Sequence, residues 1–215
     1  MSTVRPLRIA TRQSAQATAQ ARAVGDAIAV AYPGLTVELV AVETLGDQRA
    51  DVPLHTMGGQ GVFVKEVQRA VLDGYADLAV HSAKDLPTER PAGLDLAAFC
   101  ARRDPADALV GRALDDLAHG ATVATGSVRR RAQLQVLRPD LRFVELRGNI
   151  QTRLGKVPGE GSIVMAVAAL QVLGLTDRVA ERFDVDVFVP SPGQGCVAVE
   201  CRTGEDRKST RLNSS

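Results

Sequence analysis

The stretch LRIATRQSAQATAQARAVGDAIAVAYPGLTVELVAV, residues 7–42, decides the fold. LRIA (7–10) is a short apolar run that reads as a strand, and Ala17, Ala21, Val24 and Ile28 then repeat at helical spacing. Pro33 and Gly34 stop that helix, and TVELVAV (36–42) supplies a second strand. Strand, helix and strand in so short a span make a βαβ unit, whose crossover sets the two strands parallel.

The same alternation runs outward from this unit. A helix beginning at FVKE covers 63–73, and strands cover DLAV (77–80) and LDLAAFC (94–100). After ARRDPAD (101–107) the pattern restarts, with strands near 107–110, 122–124, 142–146 and 162–166 and helices near 128–138, 150–156 and 167–173. VPSPGQG (189–195) reads as a linker, and CVAVEC (196–201) as a strand that returns the chain to the first unit. The expected fold class is α/β with mostly parallel sheets, as two hinged domains around a cleft: residues 1–100 with 195–205, and residues 101–194. Segment 43–61, with four Gly and one Pro, is expected to be a mobile loop at the cleft mouth. The tail DRKSTRLNSS (206–215) abandons the pattern, and one back-translation of it resembles a common sequencing-adapter read, so it is set aside as an artefact.

Composition narrows the function classes. With aromatics at 3% and no Trp, aliphatic side chains must fill the interior, as alternating strands and helices allow. No apolar run approaches the roughly 20 residues that span a bilayer, and MSTVRPLRIATRQS lacks an export segment, so a cytoplasmic, non-membrane protein is expected. Cys100, Cys196 and Cys201 show no C-x-x-C spacing, and His55, His81 and His119 are scattered, so neither a disulfide framework nor a metal site is expected. A net charge of +1 argues against global attraction to nucleic acid, and the basic stretch carries one aromatic, Phe143, for stacking bases. From Arg129 to Lys156, however, seven Arg and one Lys face only Asp140 and Glu145, a local charge of +6. This is either an anion site or a solvated basic face.

Four segments concentrate polar groups where strands end and helices begin, the place where open α/β sheets bind ligands. In ATRQS (10–14), Arg12 and Ser14 follow the first strand, and Ser14 by itself reads as a helix cap. In VHSAKDLP (80–87), Ser82, Lys84 and Asp85 follow an apolar strand; an ordinary turn with a local ion pair also fits. In ATGSVRRRAQL (124–134), Thr125 and Ser127 open a helix whose free N–H groups favour anions, and Arg129 and Arg130 add charge. In ELRGNIQTRL (145–154), Arg147 leaves a strand, Gly148 permits a tight turn and Arg153 sits on the next helix. Guanidinium forks suit carboxylates, so these groups imply a polycarboxylate site with one conspicuous acid, Asp85. An enzyme and a solute-binding protein without catalysis both fit.

LRIATRQS, TLGD (44–47), GVFVKE (61–66), AVHSAKDLPT, TGSVRRRAQL, ELRGNIQTRL and PGQGC, in this order, resemble the porphobilinogen deaminase (hydroxymethylbilane synthase) family over residues 7–205. The resemblance implies two domains like those of type II periplasmic binding proteins and a third, α+β domain, here missing. It also implies a transferase of tetrapyrrole (porphyrin, haem) biosynthesis, in which a covalent dipyrromethane cofactor primes the joining of four porphobilinogens with loss of ammonia. Arg12, Ser14, Ser82, Lys84, Thr125, Ser127, Arg129, Arg130, Arg147 and Arg153 would then bind carboxylates of cofactor and substrate, and Asp85 would be the catalytic carboxylate. A monomer acting on porphobilinogen, with no nucleic-acid or membrane partner, is expected. Three residues depart from the family pattern: Gln60 stands for a common Lys, Gly126 for a common Ser and Cys196 for a common Ala. The Gly-Gly-Cys context that carries the cofactor is absent from these residues, so the chain by itself is expected to be inactive.

Overall fold

The computed structural model describes residues 5–48, 61 and 63–204. In chain order the elements are β1 (Leu7–Arg12), α1 (Ala15–Ala31), β2 (Val37–Val42), α2 (Leu45–Gln48), α3 (Lys65–Leu72), β3 (Leu78–Ser82), β4 (Leu94–Phe99), β5 (Asp107–Gly111) and β6 (Thr122–Ala124). They continue with α4 (Val128–Leu137), β7 (Arg142–Val144), α5 (Ile150–Leu154), β8 (Ser162–Ala166), α6 (Val167–Val172), β9 (Glu181–Arg182) and β10 (Val197–Arg202). Short 3-10 turns at Ala83–Asp85 and Thr176–Arg178 complete the set. The described residues fall into two compact units, one holding 103–195 and the other the remainder.

Each unit is built on a five-stranded sheet, in the order β2-β1-β3-β10-β4 in the first and β7-β6-β8-β5-β9 in the second. The two orders are one topology used twice. In each, a βαβ crossover carries the chain outward to an edge strand, β1 to β2 and β6 to β7, before it returns to the inner side. One strand lies antiparallel beside the third parallel strand in each sheet: β10, laid down after the chain returns to the first unit, and β5, which opens the second. The sheets are therefore mixed: four strands share one direction and the inserted strand opposes them.

Burial follows these positions. β8 reads SIVMA and is buried at every residue, as a central strand covered on both faces must be, whereas edge strand β2 has only half-buried and exposed positions. Helix α1 buries Ala21, Val24 and Ile28 against Ile9, Leu78, Val80 and Val199, the face predicted from its spacing. In the second unit Leu109, Val123, Leu134, Val164 and Phe188 form the corresponding core. Each such Leu, Ile or Phe contributes about 1.5–3 kcal/mol by leaving water.

The inserted strand β10 also carries Glu200, 1% exposed inside the first unit. Its side chain accepts from Gln68 Nε2 on α3 at 2.9 and 3.1 Å and lies 3.1 Å from His81 Nε2 on β3.

The expectation of a loop across 43–61 is corrected at its start. Leu45–Gln48 is a helical turn, because Glu66 Oε1 accepts from the Leu45 N–H at 3.3 Å and satisfies a first-turn donor. Gln60, His55 and the tail 206–215 lie outside the described residues.

Candidate functional site

In the first unit the adjacent parallel strands β1 and β3 end on the same edge of the sheet, with β2 on the far side of β1. Crossovers part there, leaving the carboxyl ends of the strands open to a ligand. Arg12 ends β1, and its guanidinium carbon sits 4.2 Å from the centroid of the Phe63 ring. Phe63 can lie there because residue 46 is glycine: a Cβ at Gly46 would come within 2.1 Å of the ring. Ser14 caps α1, accepting from the Ala17 N–H at 3.3 Å. Ser82 ends β3 and donates to Gln20 Oε1 at 3.1 Å. Lys84 and Asp85 follow in the 3-10 turn, tied at its start by Ala83 N donating to Cys196 O at 2.9 Å. Asp85 is half-buried, on a backbone fixed at one end by β3 and at the other by Pro87.

In the second unit β6 and β7 are the adjacent parallel strands, and the loops after them meet. Thr125 N donates to Val144 O at 2.9 Å, Thr125 Oγ1 accepts from Ser127 N at 3.2 Å, and Ser127 caps α4. Gly126 packs so closely on the neighbouring loop that a Cβ would lie 2.7 Å from both Leu146 O and Glu145 Oε1. After β7, Arg147 is nine-tenths buried and Gly148 has φ +112°, a conformation that favours glycine. Asn149 caps α5, and Arg153 Nε folds back to donate to Gly148 O at 2.7 Å. The +6 stretch is thus a built junction rather than a uniformly solvated face.

The structure engages Arg129 and Arg130 more heavily than the sequence suggests. Arg130 Nη2 and Nε donate to Asp107 Oδ1 at 2.6 and 3.1 Å, Arg130 Nη1 donates to Val164 O at 3.0 Å, and Arg129 Nη2 donates to Asp107 Oδ2 at 2.6 Å. Burial pushes the Asp107 carboxyl up, but the charges and hydrogen bonds of Arg130 and then Arg129 outweigh it and hold it below its ordinary 3.8.

The edge of the first unit therefore gathers Arg12, Ser14, Ser82, Lys84 and Asp85, and that of the second gathers Thr125, Ser127, Arg129, Arg130, Arg147 and Arg153. Phe63, Asp107 and Gln194 were missed by sequence reasoning. Phe63 is one of only five Phe residues and sits in a quoted motif, so its type could have drawn notice. Gln194 likewise sits in the quoted PGQGC, whereas Asp107 carries no local signal, since its partners lie far along the chain. Among the described residues no group of three or more His, Cys, Asp or Glu could hold a metal ion, and no helix is long and apolar enough to cross a membrane.

A family model described as "Porphobilinogen deaminase, dipyromethane cofactor binding domain" matches residues 7–210. A porphobilinogen deaminase of Geotalea uraniireducens (strain Rf4) is 43% identical over 214 residues, covering 98% of this chain and 67% of that protein. Among solved structures, the BvgS VFT2 domain of Bordetella pertussis aligns with a TM-score of 0.54 at 18% identity, over 96% of this chain and 84% of its own. Full-length BenM aligns with a TM-score of 0.52 at 14% identity, over 99% of this chain and 66% of its own. At such identities these two likenesses are ones of fold.

Proposed function

The chain belongs to the porphobilinogen deaminase family, and on that premise we propose that its two sheet edges bind the carboxylates of porphobilinogen and of the growing pyrrole chain while Asp85 serves the deamination. The family's role is to polymerise porphobilinogen into the linear tetrapyrrole hydroxymethylbilane, releasing ammonia. Each porphobilinogen brings an acetate and a propionate, so the growing product accumulates negative charge. Arg12, Lys84, Arg129, Arg147 and Arg153, with Arg130 behind them and the hydroxyls of Ser14, Ser82, Thr125 and Ser127 beside them, supply the matching cations and donors.

The observation that carries the role of Asp85 is its place: a carboxylate between the end of β3 and Pro87, on the same turn as Lys84 and on the edge where Arg12 ends β1. An acid among carboxylate-binding cations makes no sense for anion capture alone. It does for a reaction that breaks the aminomethyl C–N bond, because ammonia leaves with that bond's electron pair and a cationic azafulvene forms. A fixed negative charge beside the pyrrole nitrogen stabilises that cation as it develops and can accept the nitrogen's proton.

The donor chemistry also fits dipyrromethane, which carries carboxylates of the same kind; Arg129, Arg147, Arg153 and Ser127 would hold them. When bound, dipyrromethane supplies the primer to which porphobilinogen units are joined. Cys201, 2% exposed in the core, does not suit its attachment. A monomer working in the cytoplasm is part of the same reading.

The test is turnover. In a fusion that appends the remainder of the Geotalea relative to this chain, Asp85→Asn should lower kcat for ammonia release at least about a hundredfold with folding intact. Near-normal turnover would remove Asp85 from the chemistry.

A further inference from the structure

Asp107 is completely buried, yet four hydrogen bonds converge on its carboxylate. Two come from Arg130 and one from Arg129, both in the first turn of α4; the fourth comes from Gln194 Nε2 at 2.8 Å. Gln194 is itself 1% exposed and also donates to Pro105 O at 2.7 Å, so it joins the residues before β5 to the segment that leaves the unit. The same segment is fastened to α4 a second time. Gln133 exchanges hydrogen bonds with Val189, donating to its O at 3.1 Å and accepting from its N at 2.7 Å, and Arg129 Nη1 also donates to Val189 O.

The two arginines stand differently around this hub. Arg130 commits Nε, Nη1 and Nη2 to the interior, and its side chain is 9% exposed. Arg129 is 28% exposed and commits only Nη1 and Nη2. A guanidinium has five N–H donors, so Arg129 keeps donors for a ligand while one edge of its fork is fixed. One carboxylate set against two guanidiniums also leaves a net positive charge at the head of α4.

We propose that Asp107, seated by Gln194, is a positioning residue for substrate binding: it fixes the guanidinium of Arg129, with Arg130 as the buried brace, at the angle that meets a pyrrole carboxylate. The inference rests on the assignment of Arg129 to carboxylate binding. It opposes the simpler view that Asp107 only neutralises excess charge, and the two views differ in sign. Removing a neutralising carboxylate raises the local positive charge and tightens binding of an anion; removing a positioning carboxylate misaligns the fork and weakens it in spite of that added charge.

The experiment is a double-mutant cycle on the full chain, titrating porphobilinogen by calorimetry into wild type, Asp107→Asn, Arg129→Gln and the double variant at a temperature where all are folded. Positioning predicts that Asp107→Asn raises Kd about tenfold or more, with little further loss when Arg129 is already Gln. Tighter or unchanged binding in Asp107→Asn, or an equal loss with and without Arg129, overturns the proposal. Should Asp107→Asn not fold, Gln194→Leu replaces it in the cycle. That variant keeps both ion pairs, and a several-fold rise in Kd that vanishes in the Arg129→Gln background is expected. An unchanged Kd in Gln194→Leu counts against the proposal. If Arg129→Gln itself leaves Kd unchanged, the assignment of Arg129 to ligand fails; if Arg129→Gln weakens binding and Asp107→Asn does not, only the positioning role fails.

Discussion

Asp107 shows how far a single buried charge can organise its surroundings, and its titration gives a direct reading of that work. Its carboxyl is held below the ordinary 3.8 in the fold, so its ion pairs contribute stability that is fully present above that value and lost as pH falls through the folded pKa. Asparagine mimics the protonated acid in shape and charge. The gap in Tm between wild type and Asp107→Asn should therefore be wide near about pH 6 and close towards about pH 2. Asp104, held low by its hydrogen bonds from Arg182, and Asp140, held low by Arg138, act alike in both proteins and cancel from the comparison. A gap that stays constant across this range in thermal unfolding scans would mean that the Asp107 charge adds nothing to the fold. At this scale the sequence was partly legible. Ser14 announced itself as a cap by type and place, whereas the partnership of Asp107 with Arg129, Arg130 and Gln194 spans up to 87 residues and leaves no local trace.

At the scale of elements, strands and helices were readable because hydrophobic period and Pro-Gly punctuation act locally. β1 through β8 and the longer helices form where spacing placed them, with ends shifted by a residue or two. What periodicity could not convey was pairing. CVAVEC looks like any strand, and only the three-dimensional sheet shows β10 inserted against the direction of its neighbours, with Glu200 buried between Gln68 and His81. The same limit applies to the junction of the β6–α4 and β7–α5 loops. Gly126 was noticed as a departure from a common Ser, but its reason is the Leu146 carbonyl, 2.7 Å from where a Cβ would sit. Gly126→Ser should therefore destabilise the chain by about 1–3 kcal/mol through overpacking. Thermal unfolding checks this, and an unchanged Tm would show that the Glu145–Leu146 loop gives way freely.

For the whole molecule, one topology appears twice, and each copy holds one strand set antiparallel to the other four. The first sheet is completed only by β10, after the chain returns from the second unit, whereas the second is built from the continuous segment 103–195 that β5 opens. Each copy presents polar groups at the carboxyl ends of its parallel strands, and Asp85 stands on the first. On the proposed function, these edges recognise pyrrole carboxylates specifically, with Asp85 meeting the pyrrole itself. The most direct measurement is calorimetric titration of the chain with porphobilinogen, beside acetate and phosphate, for wild type, Arg147→Gln and Asp85→Asn. The account predicts saturable porphobilinogen binding far tighter than that of either simple anion, weakened about tenfold or more by Arg147→Gln and also weakened by Asp85→Asn. Equal affinity for all three anions, with binding that tightens when the Asp85 charge is removed, would contradict it and leave an anion-binding protein in place of an enzyme.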